Sequence, residues 1–189
     1  MPAEILFAAS EQTTYNPHPE TPNQKNLIES NEKYAANFTQ GDLELPPAKK
    51  YAVVTCMDAR IDPSSAFGIA LGDAHVIRNA GGSARDALRS LIISQQLLGT
   101  NEIILVKHTG CGMLSFSNED AVGIVKGRFG EEAEKELEVF GGEFLPFADL
   151  EGEVRRDVSW LRERRVLAEE VGVSGWVYEV ESGKVRRVV

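Results

Sequence analysis

Two short runs, Tyr51-Ala52-Val53-Val54-Thr55 and Ile103-Ile104-Leu105-Val106, are mostly apolar and β-rich, and neither alternates strictly between apolar and polar residues. That pattern belongs to strands covered on both faces, as in parallel sheets, rather than to strands with one wet face. Asp73 to Ile77 offers a weaker strand between them, and Gly81-Gly82 then breaks the chain. A helix opens at Ser83, with Asp86 as a capping-box-like partner; Ala84, Ala87, Leu88, Leu91, Ile92 and Leu98 form its apolar face, and Gly99 ends it. Val154, Val158 and Leu161 mark a further helix running to about Glu170. Gly175 to Val180 reads as a strand, Ser182-Gly183 as a turn and Val185 to Val189 as a returning strand. Strands alternating with helices predict an α/β fold: a mainly parallel central sheet flanked by helices, with an antiparallel C-terminal edge strand. Residues 117–150 combine acidic helix-like stretches with Gly127, Gly130, Gly141-Gly142 and Pro146, and give no clear pattern; Glu131 to Glu138 reads as a solvated helix face.

At 189 residues the chain suits a single domain, and two full domains would be tight. The expected division is an N-terminal arm over 1–48 and an α/β core over 49–189. Residues 10–24, with Pro17, Pro19 and Pro22, read as a loose segment, and Asn26 to Phe38 as an amphipathic helix carrying Leu27, Ile28, Tyr34, Ala35 and Phe38. Twenty Lys+Arg against 29 Asp+Glu give a net charge of −9, which argues against nucleic acid or an anionic membrane as the main partner. No apolar run approaches the roughly 20 residues that span a bilayer. Ile5 to Ala9 is too short for a signal segment and follows Glu4 rather than a basic stretch, so a cytoplasmic protein is expected. In that compartment the cysteine pair, Cys56 and Cys111, is more often metal-binding or catalytic than a structural bridge.

The chemistry-bearing motifs follow the two strong strands. Cys56-Met57-Asp58-Ala59-Arg60 comes directly after the first, and His108-Thr109-Gly110-Cys111 directly after the second. Sites in open α/β sheets form outside the carboxyl ends of strands, so one crossover helix between neighbouring strands brings Cys56 within reach of His108 and Cys111. Two thiolates and an imidazole suit zinc, and three protein ligands leave the exchangeable position of a catalytic site. Asp58 either binds the metal or accepts a hydrogen bond beside it, and the Arg60 fork can grip the Asp58 carboxylate and hold it off. Taken singly, each cysteine would more often be a small buried hydrophobe, His108 a core histidine and Asp58–Arg60 an ordinary ion pair. A Cys56–Cys111 disulfide leaves His108 and Asp58 without a role. His18 and His75 have no ligand-like neighbours, Gly81-Gly82-Ser83 lacks the spacing and Lys of a phosphate loop, and Arg155, Arg156 and Asp157 need no special role.

Cys56-x-Asp58-x-Arg60 with His108-x-x-Cys111 resembles the zinc signature of the β-class carbonic anhydrases. The resemblance continues through Arg78-Asn79-Ala80-Gly81, Arg89-Ser90-Leu91, Leu98-Gly99-Thr100 and Cys111-Gly112-Met113, and covers roughly residues 31–118. Asn31, Tyr34-Ala35, Phe38 and Pro46-Pro47 are similar to the arm of the short bacterial and fungal subgroup. The resemblance implies reversible hydration of carbon dioxide to bicarbonate and a proton by zinc-bound hydroxide. Cys56, His108 and Cys111 would hold Zn2+, and Asp58 and Arg60 would form the catalytic dyad, with Asp58 the fourth ligand in a closed state. It also implies strand order 2-1-3-4 plus the antiparallel strand, and a homodimer, in some members paired into a tetramer, with the N-terminal helix laid across the partner. Gly110 stands where many of the short subgroup carry an acidic residue. Rival readings are a carbon disulfide or carbonyl sulfide hydrolase on the same fold, a low-activity or non-catalytic zinc-binding homologue, and a redox switch through Cys56–Cys111.

Overall fold

The computed structural model describes residues 19–167 and 170–189. The chain divides after Leu43 into two compact units. In the first, α1 spans Pro22–Ala35. Thr21 caps it by accepting from the Gln24 amide while the Gln24 side chain accepts from the Thr21 amide, and Pro22 sits at the first helical position. That reciprocal cap starts the helix earlier than the apolar spacing from Asn26 suggests and turns Pro22 to Gln24 from loose chain into helix. No residue of α1 is buried. His18, and the loose segment before it, lie outside the described residues.

The second unit carries a five-stranded sheet in the order β2-β1-β3-β4-β5, built from β1 (Tyr51–Cys56), β2 (Ala74–Asn79), β3 (Glu102–His108), β4 (Gly172–Glu179) and β5 (Lys184–Arg187). β1 pairs in parallel with β2 and β3, β3 in parallel with β4, and β4 antiparallel with β5. The expected sheet, including its order and its antiparallel edge, is the one observed. Helices α2 (Pro63–Phe67), α3 (Ala84–Gln96), α4 (Asn118–Phe129), α5 (Glu131–Glu136) and α6 (Leu150–Arg162) complete the unit.

One face of the sheet packs Ala52, Val54, Ile103 and Leu105 against Ala87 and Leu91 of α3 and Val158 and Leu161 of α6. The other gathers Val53 and Val106 with Ile61, Ile69, Met113, Phe147 and both cysteines. Burial on both faces is why β1 and β3 lack alternation. Ser83 caps α3 by accepting from the Asp86 amide. Residues 118–140 contribute no buried side chain from α4 or α5, so no core constraint imprinted a period on that stretch.

Two expectations need correction. α6 stops at Arg162 rather than near Glu170, because the chain must turn back to start β4. Arg162 there donates to the Val173 carbonyl and Arg164 to the Trp160 carbonyl, while Leu167 enters the core. Asp157, read as needing no special role, has one: it is buried on α6, 2.9 Å from the ammonium of buried Lys107 on β3, and it accepts from the Ala84 amide at the start of α3. A buried pair of this kind is expensive to break from one side, because the remaining charge has no water. Lys107→Met should therefore lower the unfolding free energy by about 3–5 kcal/mol, read as a lower urea midpoint at unchanged slope.

Candidate metal centre

Parallel pairing sets Cys56 opposite Asn79 and Thr55 opposite Val106, so β1 and β3 end on the same edge of the sheet. The turn after β1 is pinned from β2. Arg78 donates from Nε to the Cys56 carbonyl at 3.0 Å and from Nη2 to the Asp58 carbonyl at 2.7 Å, and the Met57 amide donates to the Asn79 carbonyl. The loop after β3 is tied to β4: Thr109 Oγ1 accepts from the Val180 amide and donates to Glu181 at 2.7 Å. That hydrogen bond holds the Glu181 carboxyl below its ordinary range.

On these ends Cys56, His108 and Cys111 bring one donor atom each within 4.8 Å of one another, and all three side chains are buried. Both thiols are free. His108 Nδ1 lies 2.9 Å from the Thr109 carbonyl. A carbonyl only accepts, so Nδ1 carries the proton and Nε2 presents a lone pair. That Nε2 is buried without a hydrogen-bond partner. An orphaned imidazole nitrogen facing two sulfurs fits a borderline-soft cation, and Nδ1 held by a carbonyl is how metal-binding histidines are oriented. The Cys111 thiol, and after it the His108 imidazole, hold the Cys56 thiol well below its ordinary value against the opposing effect of burial, with the backbone at Asp58 and Gly81 adding a little. The contact with Cys56, and then burial, raise Cys111. A cation bound between the two sulfurs would take both as thiolates and release the protons they carry.

Asp58 and Arg60 form a two-pronged pair beside this cluster. Asp58 Oδ1 accepts from the Arg60 amide and Nε, each at 2.9 Å, and Oδ2 accepts from Nη2 at 2.7 Å. Nη2 also donates to the Gly110 carbonyl at 2.9 Å, which ties the two motifs together. Gly110 has a φ of +60°, a left-handed turn that disfavours a side chain. Asp58 Oδ2 lies 3.8 Å from His108 Nε2. The Arg60 side chain, followed by its amide, holds the Asp58 carboxyl far below the usual range, and Asp58 in turn raises Arg60.

All five residues singled out by the motifs thus meet at one edge of the sheet. The Gly81-Gly82 break is a tight turn of the protein itself, since a Cβ on Gly82 would meet the Cys56 amide nitrogen at 3.1 Å. His75 stays apart, bonded to Ser94, which in turn contacts Thr100. The motifs left three contributors unread: Arg78, Lys107 and the Thr109–Glu181 clip. Arg78 sat within the family-like segment, but nothing in its spacing announced that it would cap carbonyls of another strand.

The family model for carbonic anhydrases matches residues 51–185. A β-carbonic anhydrase 1 from Mycobacterium tuberculosis is 39% identical over 162 residues, spanning 85% of this chain and 94% of that protein. The structure of a carbonic anhydrase from Glaciozyma antarctica superposes with a TM-score of 0.84 at 44% identity, covering 90% of this chain and 100% of that one. A carbon disulfide hydrolase from Acidithiobacillus thiooxidans is 31% identical over 173 residues, 84% of this chain and 85% of that protein. The chain belongs to the β-carbonic anhydrase family, in which zinc is the metal.

Two outcomes follow. Purified protein should hold about one zinc per chain, and Cys111→Ser should lose most of it on dialysis, as metal analysis would show; full retention would displace Cys111 from the site. In metal-free protein the depressed Asp58 carboxyl keeps the pair with Arg60 intact above the ordinary carboxylate value of about 4, and its contribution to stability disappears only as pH falls below that. The Asp58 carboxyl carbon resonance should therefore be flat from pH 5 to pH 9.

Proposed function

We propose that this protein catalyses the reversible hydration of carbon dioxide to bicarbonate and a proton, with zinc held by Cys56, His108 and Cys111. The observation that carries the reading is the Arg60 fork closed on Asp58 beside an orphaned His108 Nε2, because metal binding alone has no need of that pair. Bound zinc would supply Lewis acidity that brings the pKa of water to about 7.

The protein's own groups do the rest. Arg60 occupies both oxygens of Asp58 and so keeps the carboxylate from closing over the metal position as a fourth ligand. Ionised Asp58 can only accept hydrogen bonds, so it orients a hydroxyl-bearing group and disfavours any second anion. Thr109 fixes the His108 tautomer through its carbonyl, and the Gly110 carbonyl fixes the Arg60 fork. Ile61, Met113 and Phe147, packed with the cysteines, give the site an apolar flank suited to a small neutral substrate. Carbon disulfide or carbonyl sulfide would meet the same groups, and the relatedness to carbon disulfide hydrolases gives that second reading substance. Parallel assays on the three substrates decide between them: turnover of carbon dioxide alone supports the first reading, and turnover of the sulfur compounds alone replaces it.

The working species is proposed to be a cytoplasmic homodimer, or a pair of dimers. Free cysteines placed as metal donors are commonest in reducing compartments. Among the described residues no helix is long and apolar enough to cross a membrane. Leu27, Ile28, Tyr34 and Phe38 are exposed in the N-terminal unit, as a surface meant for a neighbour would be. In dilute solution the whole chain should have at least a dimer's mass, and deletion of residues 1–40 should reduce it; a monomer before and after would remove the idea.

Arg60→Ala frees Asp58 to take the metal's open position, so zinc content should stay and kcat/KM should fall on the order of 10²-fold, the scale of a misplaced catalytic group. Arg60→Lys should recover only part, since an ammonium cannot reproduce the fork. Activity of the parent should rise from mildly acid to mildly alkaline pH. Wild-type rates in zinc-replete Arg60→Ala would show that the pair is not the catalytic device.

A further inference from the structure

We propose that Lys107, held by Asp157, is a positioning residue for the metal centre: it fixes the turn Ala80–Gly82, which is wedged against the backbone of Cys56 and the side chain of Met113. The inference rests on the metal site proposed above.

Lys107 precedes His108 on β3, and strand alternation sends the two side chains to opposite faces of the sheet. The Lys107 ammonium, buried to 2% exposure, has three donors and uses all of them: Gly81 carbonyl at 3.0 Å, Gly82 carbonyl at 3.1 Å and Asp157 Oδ2 at 2.9 Å. The Phe147 ring stands 5.0 Å from it. A cavity of about 310 Å³ opens beside Gly81, Lys107 and Asp157, yet Lys107 has no donor left to offer a ligand there.

The turn that Lys107 holds is wedged against the site. A Cβ on Gly82 would approach Thr55 and Cys56 backbone to 3.1 Å, and one on Gly81 would meet the Met113 side chain, two residues past Cys111, at 2.8 Å. Asn79 closes the turn by exchanging bonds with Ser83. A turn packed this closely on the main chain of a ligand sets where its side chain points, as outer contacts do at other metal sites. Asp157 also accepts from the Ala84 amide, so β3, α6, the start of α3 and the turn meet at one charge pair.

Removing one partner alone confuses stability with positioning. The decisive variant is Lys107→Met with Asp157→Leu, which leaves no unpaired buried charge and is expected to fold. Zinc affinity by chelator competition should fall 10–100-fold, and the sulfur-to-cobalt charge-transfer band of the Co(II) form should shift as the Cys56 sulfur loses its fixed direction. A folded double variant with parent affinity and an unmoved band would overturn the proposal. Should that variant not fold, Lys107→Arg carries the test. It keeps the charge, but a planar fork cannot reach both carbonyls and the carboxylate together, so the same two shifts are expected and their absence overturns the proposal. If the parent itself takes up neither zinc nor cobalt, it is the metal-site reading that fails.

Discussion

Everything in this molecule that bears on chemistry depends on β1 lying between β2 and β3 in parallel register. With Thr55 level with Arg78 on one side and Val106 on the other, three strands finish together and their loops converge. Cys56 ends β1, His108 ends β3, and Cys111 follows within the next turn. A slip of one residue in either pairing would turn the apolar sets of Ala52/Val54 and Ile103/Leu105 off the α3/α6 face, so the core that stabilises the sheet also enforces the geometry of the site.

The two ion pairs show how burial decides what a charge pair does. Arg60 and Asp58 keep 54% and 18% of their side-chain surface exposed. Such a pair adds little to stability and can open, as a carboxylate with two possible partners requires. Lys107 and Asp157 are sealed from water and bonded to backbone on three sides. Opening that pair would strand a charge in the core, so it behaves as a fixed post.

The sheet and the five motif residues were legible because both are local signals: apolar runs bounded by breakers, and donor residues within a few positions of each strand end. Strand order became legible only through family resemblance, since periodicity does not say which strands neighbour. Asp157 was misread because it sits in an otherwise charged helix, between Arg155–Arg156 and Ser159, and its burial depends on a lysine far away in sequence. A lysine inside a strand likewise reads as a wet edge until the acid that neutralises it is known. The end of α6 was missed because Arg162 and Arg164 look like helix continuation, whereas they cap carbonyls as the chain reverses. Residues 118–140 carried no pattern because they bury nothing from α4 or α5.

Arg78, Arg60 and Lys107 share one habit: each aims its donors at main-chain carbonyls of a site loop. Arg78 takes the carbonyls of Cys56 and Asp58, Arg60 that of Gly110, and Lys107 those of Gly81 and Gly82. The protein carries a net charge of −9, and its site gathers two sulfurs and the Asp58 carboxylate in a small volume. Turning the negative ends of the loop carbonyls onto cations removes dipoles that would oppose ionised thiols. Loops are ordinarily the mobile part of an α/β fold. Here their carbonyls are held by side chains from neighbouring strands and by the motif's own arginine, so Asp58, Arg60 and Cys111, which stand on loops, are tied to the sheet whose strand ends carry Cys56 and His108.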